Sequence, residues 1–342
     1  MSSISPLDGR YKQETQELNR YFSEQALMRF RLCVEVKYLI FLSETASLKN
    51  KISINRKNRK SLEGLYKDFD QKEYNAIKRI ESKTKHDVNA VVEYLSEKVE
   101  NISEDLVPWV HFGLTSEDIN NVAYSLMIRG AIEGPVFNSL SIVSSSLKKT
   151  VAKTKALSML SLTHGQPATT TTLGKELAVF CARLDRQISQ IKTHKLLGKF
   201  GGATGTWSAH MAAYPKTNWT GFASKFIKSL GLEPNLVTTQ VEPHDSLAES
   251  YRQVVLVNSI LTDLCGDMWS YISRGILGQK KVDGEVGSST MPHKINPVQF
   301  ENAEGNMGIA NALLNHLALK LPISRMQRDL TDSTTLRNHG VA

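Results

Sequence analysis

The sequence predicts an all-α protein built around a bundle of long helices. In three stretches, mostly apolar residues recur at alternating steps of three and four, which is the period of a helix with a buried face. These stretches run from Leu177 to Ile191, from Leu247 to Ile272 and from Phe300 to Leu317. Helices this long, with apolar or small residues on most faces, favour a bundle shared between subunits over a self-contained monomer.

A small N-terminal helical domain is predicted for residues 1–110, followed by the long-helix bundle domain at 111–342. Apolar residues at helical spacing predict a first helix over about 23–45, and further helical segments continue to about residue 98. The basic run KNKISINRKNRK, 49–60, interrupts them. We interpret this run as a solvated surface turn.

Two later helices have recognisable first turns. His86 and Asp87 lie side by side at one predicted helix start, where they either cap the helix in solvent or belong to a site. Thr115 or Ser116 is expected to cap the next helix, with acidic residues in its first turn that complement the helix dipole. The backbone amides of such a turn are equally able to bind a substrate carboxylate.

Proline and glycine divide the helices that follow. Pro135 suits the first turn of a helix over about 135–158, and another long helix is predicted over about 174–198. Between them, SLTHGQPATTTTLGKE at 161–176 contains four successive threonines beside Gly-Gln-Pro, which disfavour a helix. We expect an extended, hydroxyl-lined segment that places His164 in a polar pocket.

A glycine-rich stretch, GKFGGATGTWSAH at 198–210, has the composition of a phosphate-binding loop. It lacks the GxxxxGK[ST] order and follows a predicted helix rather than a strand, so we reject that interpretation. Further along, TTQVEPHD at 238–245 is predicted to be a polar connector with Gln240 at its centre.

Charge, apolar runs and cysteine content indicate what kind of ligand the protein binds and in which cellular compartment it occurs. The net charge of +8 is modest and dispersed, so we expect a small, highly anionic substrate rather than nucleic acid. The N-terminus lacks an apolar signal core and no run reaches the length of a membrane span, which favours a cytoplasmic protein without a membrane partner. Cys33, Cys181 and Cys265 form no CxxC pair and are interpreted as buried thiols of a reducing compartment.

The segment GSSTMPHKINP, 287–297, separates the last two long helices. Gly284 and Gly287 come just before or at its start, and its side chains are rich in hydrogen-bond donors and anion binders. It is either a mobile lid over an active site or an ordinary helix connector, since Gly, Ser, Pro and Asn are common in both.

The residue types around this segment fit a β-elimination. A serine can remove a carbon-bound proton only if its alkoxide is stabilised by nearby donors and cations, such as Lys294. The proton must be acidified by an adjacent carboxylate, and Lys294 and Asn296 are suited to the dianion that forms. His164 has the ordinary pKa for protonating a departing nitrogen or oxygen. This chemistry requires no metal or cofactor, and the sequence contains no HExxH or comparable spacing.

The order of residues in 287–297 resembles the signature of the fumarase/aspartase lyase superfamily, roughly Gly-Ser-Ser-x-Met-Pro-x-Lys-x-Asn-Pro. The resemblance extends along the chain through the strings SPLDGRY, TKHDVNAV, GLTSEDINN, THGQPATTTTLGKE, QVEPHD and RDLTDSTTLRN. It implies the all-α, long-helix bundle fold of the superfamily and a homotetramer whose active sites are shared between subunits.

The resemblance also implies roles for individual residues. Ser288 resembles the general base and His164 the general acid. Substrate contacts are implied at Arg10, Tyr11, Lys85, His86, Asp87, Thr115, Ser116, Gln240, Lys294, Asn296 and Asn302. The nucleotide and phosphate end is implied at Arg328, Ser333, Thr334 and Arg337, and two arginines with a serine suit a phosphate in any case. Lys85 occupies a position where close relatives often carry Asn or Arg.

The implied activity is the release of fumarate from succinylamino nucleotides of purine biosynthesis. The substrates would be adenylosuccinate, giving AMP, and the succinyl-aminoimidazole-carboxamide ribotide. The alternatives are another fumarate-releasing lyase of the superfamily and a truncated, inactive scaffold protein. The superfamily branch normally continues into a third, small helical domain, which we expect this chain to lack because it ends at Ala342.

Overall fold

The computed structural model describes residues 4–280, 290, 291 and 293–342, which are mainly helical. The α-helices, numbered in chain order, are α1 (Lys12–Thr15), α2 (Asn19–Phe22), α3 (Glu24–Glu44), α4 (Arg56–Lys67), α5 (Gln71–Thr84), α6 (Asp87–Glu100), α7 (Ser116–Ala131), α8 (Phe137–Thr154), α9 (Leu173–Thr193), α10 (Ser208–Ala213), α11 (Trp219–Ser229), α12 (Asp245–Ser273), α13 (Val298–Lys320) and α14 (Thr331–Leu336). The strands are β1 (Ser158–Thr163), β2 (Gln166–Thr172), β3 (Leu197–Gly198) and β4 (Glu233–Pro234). Short 3-10 helices cover Gln16–Leu18, Ala46–Leu48 and Glu104–Trp109, and a π-type turn covers Ile132–Val136.

The chain forms two compact units. Unit 1 contains Met1–Pro135, Lys195–Ala248 and Leu319–Gly340. Unit 2 contains Val136–His194, Glu249–Ala318 and Val341–Ala342. The boundary between domains at residue 110 that the sequence suggests remains a prediction.

Unit 1 packs around α3 and α7. Every residue of α7 from Glu117 to Ile128 is buried, although the helix begins with charged and amide side chains. An aromatic cluster surrounds Tyr38 of α3, whose ring centroid lies 5.0 Å from that of Phe200 and 5.8 Å from that of Phe226. The Tyr38 hydroxyl donates to the carbonyl of Phe112 at 2.7 Å, so the buried ring also satisfies its polar atom.

Unit 2 contains long helices and a hairpin. Helices α8 and α9 pack together, and the Ser144 hydroxyl of α8 donates to Asp185 of α9 at 3.0 Å. Strands β1 and β2 form an antiparallel hairpin, which pairs Ser158 with Thr172 and has an irregular register between Leu160 and Leu162. The extended conformation predicted for the threonine-rich segment is therefore present in β2. None of the helices within the described residues is long and apolar enough to cross a membrane.

Several local predictions need correction. The basic run 49–60 is not wholly a turn, because α4 begins at Arg56, where the side chain of Asn55 caps it by accepting from Asn58 N. The helix predicted to reach residue 158 ends at Thr154, since the next residues join the hairpin. Cys33 is only half-buried, whereas the other two cysteines are buried as predicted.

Candidate functional site

The N-terminus of α7 organises the polar residues of unit 1. Thr115 is the N-cap residue, and its backbone amide donates to the carboxylate of Asp118 at 2.9 Å, as in a capping box. The side-chain amide of Gln240 reaches the Thr115 hydroxyl at 3.4 Å. Two residues predicted to contact substrate are thus adjacent, although 125 positions separate them in the sequence.

Asp118 also holds the glycine-rich loop in place. Its Oδ1 accepts from Gly201 N at 2.8 Å, and its Oδ2 accepts from Gly202 N at 3.0 Å. The ammonium of Lys199 completes the group at 2.8 Å, with both side chains almost wholly buried. The loop amides therefore bind a carboxylate of the protein itself, in agreement with rejecting this loop as a phosphate site.

Arg328 lies in a buried charged cluster, which we define as Glu117, His244, Arg328 and Asp332. The Arg328 Nη1 atom donates to Glu117 Oε2 at 3.0 Å and to Asp332 Oδ2 at 3.3 Å. His244 Nε2 lies 3.9 Å from Glu117 Oε1 and 3.8 Å from Asp332 Oδ2. Arg328 is itself only part-buried, with a side chain 23% exposed, so one cation of the cluster reaches the surface.

Burial and charge act in opposite directions on this cluster. Burial alone would lower the pKa of His244, but the carboxylates of Asp332, Glu117 and Glu242 outweigh it and raise that pKa above its ordinary value. Burial would raise the pKa of Asp332, but His244 and Arg328 lower it overall. Burial raises the pKa of Glu117, and the nearby cations of His244 and Arg328 offset this only in part. The pKa shifts of His244 and Asp332 therefore each favour the charged form of the group.

Asp87 forms a second charged group with two arginines. Its Oδ2 atom accepts from the buried Arg31 at 2.8 Å and from Arg337 at 2.9 Å. Burial would raise the pKa of Asp87, but Arg31, and to a smaller extent Arg337, lower it. Together with Tyr124 and His339, these side chains line a cavity of about 280 Å³ within unit 1.

The remaining predicted residues of unit 1 are more exposed. His86 is the N-cap of α6, where its Nδ1 atom accepts from Asn89 N at 3.2 Å. Lys85 has a left-handed backbone with φ 56°, a conformation that suits Asn or Gly better than Lys. Arg10 is exposed, with its guanidinium 6.0 Å from the ring centroid of Tyr11.

The C-terminal predicted residues cluster along α14. Asp332 of the buried charged cluster belongs to this helix, and its Oδ1 atom accepts from Ser333 N at 2.7 Å. Thr334 is exposed, and its carbonyl accepts from the side chain of Asn338 at 3.0 Å. Arg337 closes the helix as its C-cap. The phosphate-end residues of the sequence hypothesis thus lie beside both charged groups of unit 1.

In unit 2, His164 lies at the tip of the β1–β2 hairpin with a left-handed φ of 54°. Within this chain it is exposed, so the polar pocket predicted around it is wrong at the level of a single chain. The adjacent Gly165 carbonyl accepts from Arg274 Nη1 at 3.1 Å. Hydroxyls do line a groove of about 450 Å³ on this hairpin, but its walls are formed by other residues, from Ser158 to Glu176.

The segment 287–297 is described only in part. Ser288, together with Ser289, Gly284 and Gly287, lies outside the described residues. Lys294 is exposed, and its backbone amide donates to the Met291 carbonyl at 3.0 Å. Asn296 follows in the same segment, whereas Asn302 is on α13, where its Oδ1 atom accepts from Asn306 at 3.1 Å.

Several residues that pair with the predicted site residues, or lie beside them, could not be identified from the sequence. His244 and Asp332 lie within QVEPHD and RDLTDSTTLRN, but nothing in the sequence around them indicates that they are paired. Arg31 and Lys199 had no local signal beyond a charge within a helix or loop. Only their burial beside Asp87 and Asp118 reveals them.

Comparison with known proteins agrees with the helical architecture. Residues 9–312 match a family described as Lyase. Among solved structures, a fumarate lyase from Mesorhizobium superposes with a TM-score of 0.75 at 20% identity, covering 96% of this chain and 70% of that one. A 3-carboxy-cis,cis-muconate lactonizing enzyme from Pseudomonas putida gives 0.74 at 21% identity, covering 94% and 71%. At these identities the superpositions establish the fold alone.

Sequence relatives are much closer. The chain is 48% identical to an adenylosuccinate lyase of Legionella pneumophila, 47% to one of Dictyostelium discoideum and 44% to one of Escherichia coli. Each alignment covers 100% of this chain and 75% of the relative. By this identity over its whole length, the chain belongs to the adenylosuccinate lyase family.

Proposed function

We propose that this protein releases fumarate from adenylosuccinate, giving AMP, and from the succinyl-aminoimidazole-carboxamide ribotide, giving the carboxamide. The observation that carries the proposal is the grouping of Arg328, Gln240 and Thr115 at the N-terminus of α7 in a member of this family. A guanidinium and a helix N-terminus are both suited to an anionic ligand. The names of the relatives supply the substrate.

The proposed reaction is a β-elimination with separate base and acid. Ser288, as an alkoxide, takes the proton from the carbon beside a succinyl carboxylate, and the electron pair of that C–H bond forms the new C=C bond of fumarate. The C–N bond breaks, and the nitrogen takes a proton from His164. Lys294 and Asn296 stabilise the dianionic intermediate. The exposed hairpin position of His164 is compatible with this role when another chain covers it.

The remaining predicted residues are proposed to bind the substrate. Arg328 and Arg337, with Ser333 and Thr334 between them, would bind the nucleotide phosphate. Their contacts with Asp332 and Asp87 hold the two guanidinium groups in place before the ligand arrives. Contacts to the rest of the substrate are proposed for Arg10, Tyr11, Lys85, His86, Asp87, Thr115, Ser116, Gln240 and Asn302.

We further propose a cytoplasmic homotetramer whose active sites combine residues from different subunits. Large apolar side chains on the long helices of unit 2 support this assembly, because they are exposed in the single chain. Trp269 of α12 is 44% exposed and Ile309 of α13 is 67% exposed. Such side chains favour contact with another copy over solvent.

An ultraviolet assay for fumarate release, run side by side on adenylosuccinate and argininosuccinate, tests the activity. We expect turnover of adenylosuccinate alone. Ser288→Ala should abolish turnover while substrate still binds, and His164→Ala should lower kcat by roughly 10²–10⁴-fold. His194→Asn is a matched control, since this histidine of unit 2 lies 3.8 Å from Glu249 and has no proposed role. Turnover of argininosuccinate, or unchanged kcat in both variants, would contradict the proposal.

Mixing two inactive variants tests the shared site. When Ser288→Ala and His164→Ala chains are refolded together in equal amounts, random assembly should restore both groups in roughly one quarter of the sites. Neither variant alone should be active. A tetrameric mixture with no more activity than its separate components would mean that one chain supplies both residues.

A further inference from the structure

His244 has an unusual position for a residue without an assigned role. It is 2% exposed, and its backbone φ of 62° lies in the left-handed region that non-glycine residues rarely adopt. Its backbone amide donates to Glu242 Oε2 at 2.6 Å, and this contact holds the strained conformation. Such strain persists only where the surrounding structure requires it, and it is frequent at functional sites.

The ring of His244 points among carboxylates. Within the described residues neither of its ring nitrogens has a hydrogen-bond partner, yet carboxylate oxygens of Glu242, Glu117 and Asp332 lie 3.6–3.9 Å away. Three carboxylates so close attract an imidazolium more strongly than a neutral imidazole, which has only one N–H group to offer them.

The carboxylates of Glu117 and Asp332 face two basic side chains. His244 Nε2 lies 3.9 Å from Glu117 Oε1 and 3.8 Å from Asp332 Oδ2. The guanidinium of Arg328 already supplies a cation there, through its bonds to Glu117 and Asp332. Glu117 and Asp332 therefore each lie near both His244, which is wholly buried, and Arg328, which is partly exposed, whereas Glu242 lies near His244.

We infer that His244 is a positioning residue, whose imidazolium shares Glu117 and Asp332 with Arg328 and so leaves the guanidinium oriented but able to bind a phosphate. The inference rests on the proposed role of Arg328. Without a charge at His244, Arg328 would be the principal partner of both carboxylates. The two carboxylates would then compete with the phosphate for the guanidinium of Arg328. They would also repel the incoming phosphate, with no second cation beside them.

The experiment compares AMP with adenosine by titration calorimetry. The two ligands differ by the phosphate, so the ratio of their affinities reports on the phosphate site alone. We expect His244→Gln to weaken AMP binding by roughly tenfold, which is the size of one charge-assisted hydrogen bond, and to change adenosine binding less than about twofold. In an Arg328→Gln background, His244→Gln should have little further effect on the ratio, since the residue acts through Arg328.

Two further variants separate this role from general stability. His210→Gln removes another buried imidazole of unit 1, which is 1% exposed and lies in the aromatic core, and it should leave the affinity ratio unchanged. Glu117→Gln combined with His244→Gln removes one charge of each sign, so it should restore much of the AMP preference. This compensated variant also serves if His244→Gln alone does not fold.

The outcomes distinguish the inference from the proposed function. If the unaltered protein binds AMP no more tightly than adenosine, the phosphate role of Arg328 is wrong and the inference falls with it. If the unaltered protein prefers AMP but His244→Gln keeps that preference, only the positioning role is wrong. If His244→Gln changes the ratio of AMP to adenosine affinity equally with Arg328 present and with Arg328→Gln, the positioning role is also wrong.

Discussion

Replacing Asp118 by Asn should destabilise unit 1 severely, although the two side chains have nearly the same shape. The Asp118 carboxylate is wholly buried and accepts from Lys199, Thr115, Gly201 and Gly202. Asn keeps one acceptor oxygen but brings an NH₂ group toward backbone amides that also donate. It also removes the charge that balances Lys199, whose side chain is 1% exposed.

The expected magnitude follows from these contacts. Removing one partner of a buried ion pair typically costs about 3–5 kcal/mol, because the other charge stays buried without compensation. At least one backbone amide would also lose its acceptor, at about 1–3 kcal/mol. We therefore expect the free energy of unfolding of unit 1 to fall by at least about 3 kcal/mol. Removing both charges, with Lys199→Met added, should recover only part of the loss, because the amides remain unsatisfied.

Urea unfolding followed by tryptophan fluorescence measures this loss. Three of the four tryptophans, Trp109, Trp207 and Trp219, belong to unit 1, so a Trp269→Phe background confines the signal to that unit. Trp207 is an especially close reporter, because its indole nitrogen donates to the carbonyl of Phe200, in the same loop that Asp118 binds.

A matched control removes a partly exposed carboxylate of unit 1. Glu63 pairs with Lys67 at 2.6 Å, with side chains 27% and 57% exposed. Glu63→Gln should cost less than about 1 kcal/mol, as exposed pairs do. If Asp118→Asn costs no more than this control, the buried pair does not hold the glycine-rich loop and the reasoning fails.

Three other changes test the structure. Gly205→Ala should destabilise unit 1 by about 2 kcal/mol or more, because its φ is +72° and a Cβ atom would lie 2.4 Å from the Thr238 carbonyl oxygen. Gly64→Ala on α4 meets only an ordinary contact and should stabilise by up to about 1 kcal/mol in the same urea assay. Burial lowers the pKa of His210 from 6.5 to about 4, so the unfolded state binds a proton in this range and stability should fall as pH drops from 6.5 toward 4, by at most about 3 kcal/mol. His210→Gln should flatten the dependence of urea midpoints on pH, and an unchanged slope would show that His210 is not buried as a neutral group.

The sequence by itself was sufficient for the helical elements. The apolar pattern from Leu247 to Ile272 predicted a helix that the structure begins at Asp245 and ends at Ser273. Caps were also predictable, as at His86 and Thr115, because a cap depends on residues within one turn of each other. The resemblance to the lyase superfamily rests on short motifs that occur in a fixed order along the chain. It predicted the fold correctly without any knowledge of contacts between distant residues.

Predictions from short stretches of sequence failed at two places, the start of α4 and the surroundings of His164. The density of charge in 49–60 suggested a turn, but α4 begins at Arg56, because Asn55 caps it and the helix buries Leu62. His164 was expected in a pocket from its polar neighbours. Within the single chain it lies exposed at a hairpin tip, because a hairpin has no walls of its own.

Only the tertiary structure decided how the charged residues are paired. Arg328 binds Glu117, 211 positions away, and Asp118 binds the loop amide of Gly202, 84 positions away. A helix period records which face of a segment is buried, but not which charge of another segment it will meet. Burial makes these pairings important for stability. An unpaired charge costs little in water but several kcal/mol in the interior, on the order of 3–5 kcal/mol when one partner of a buried pair is removed.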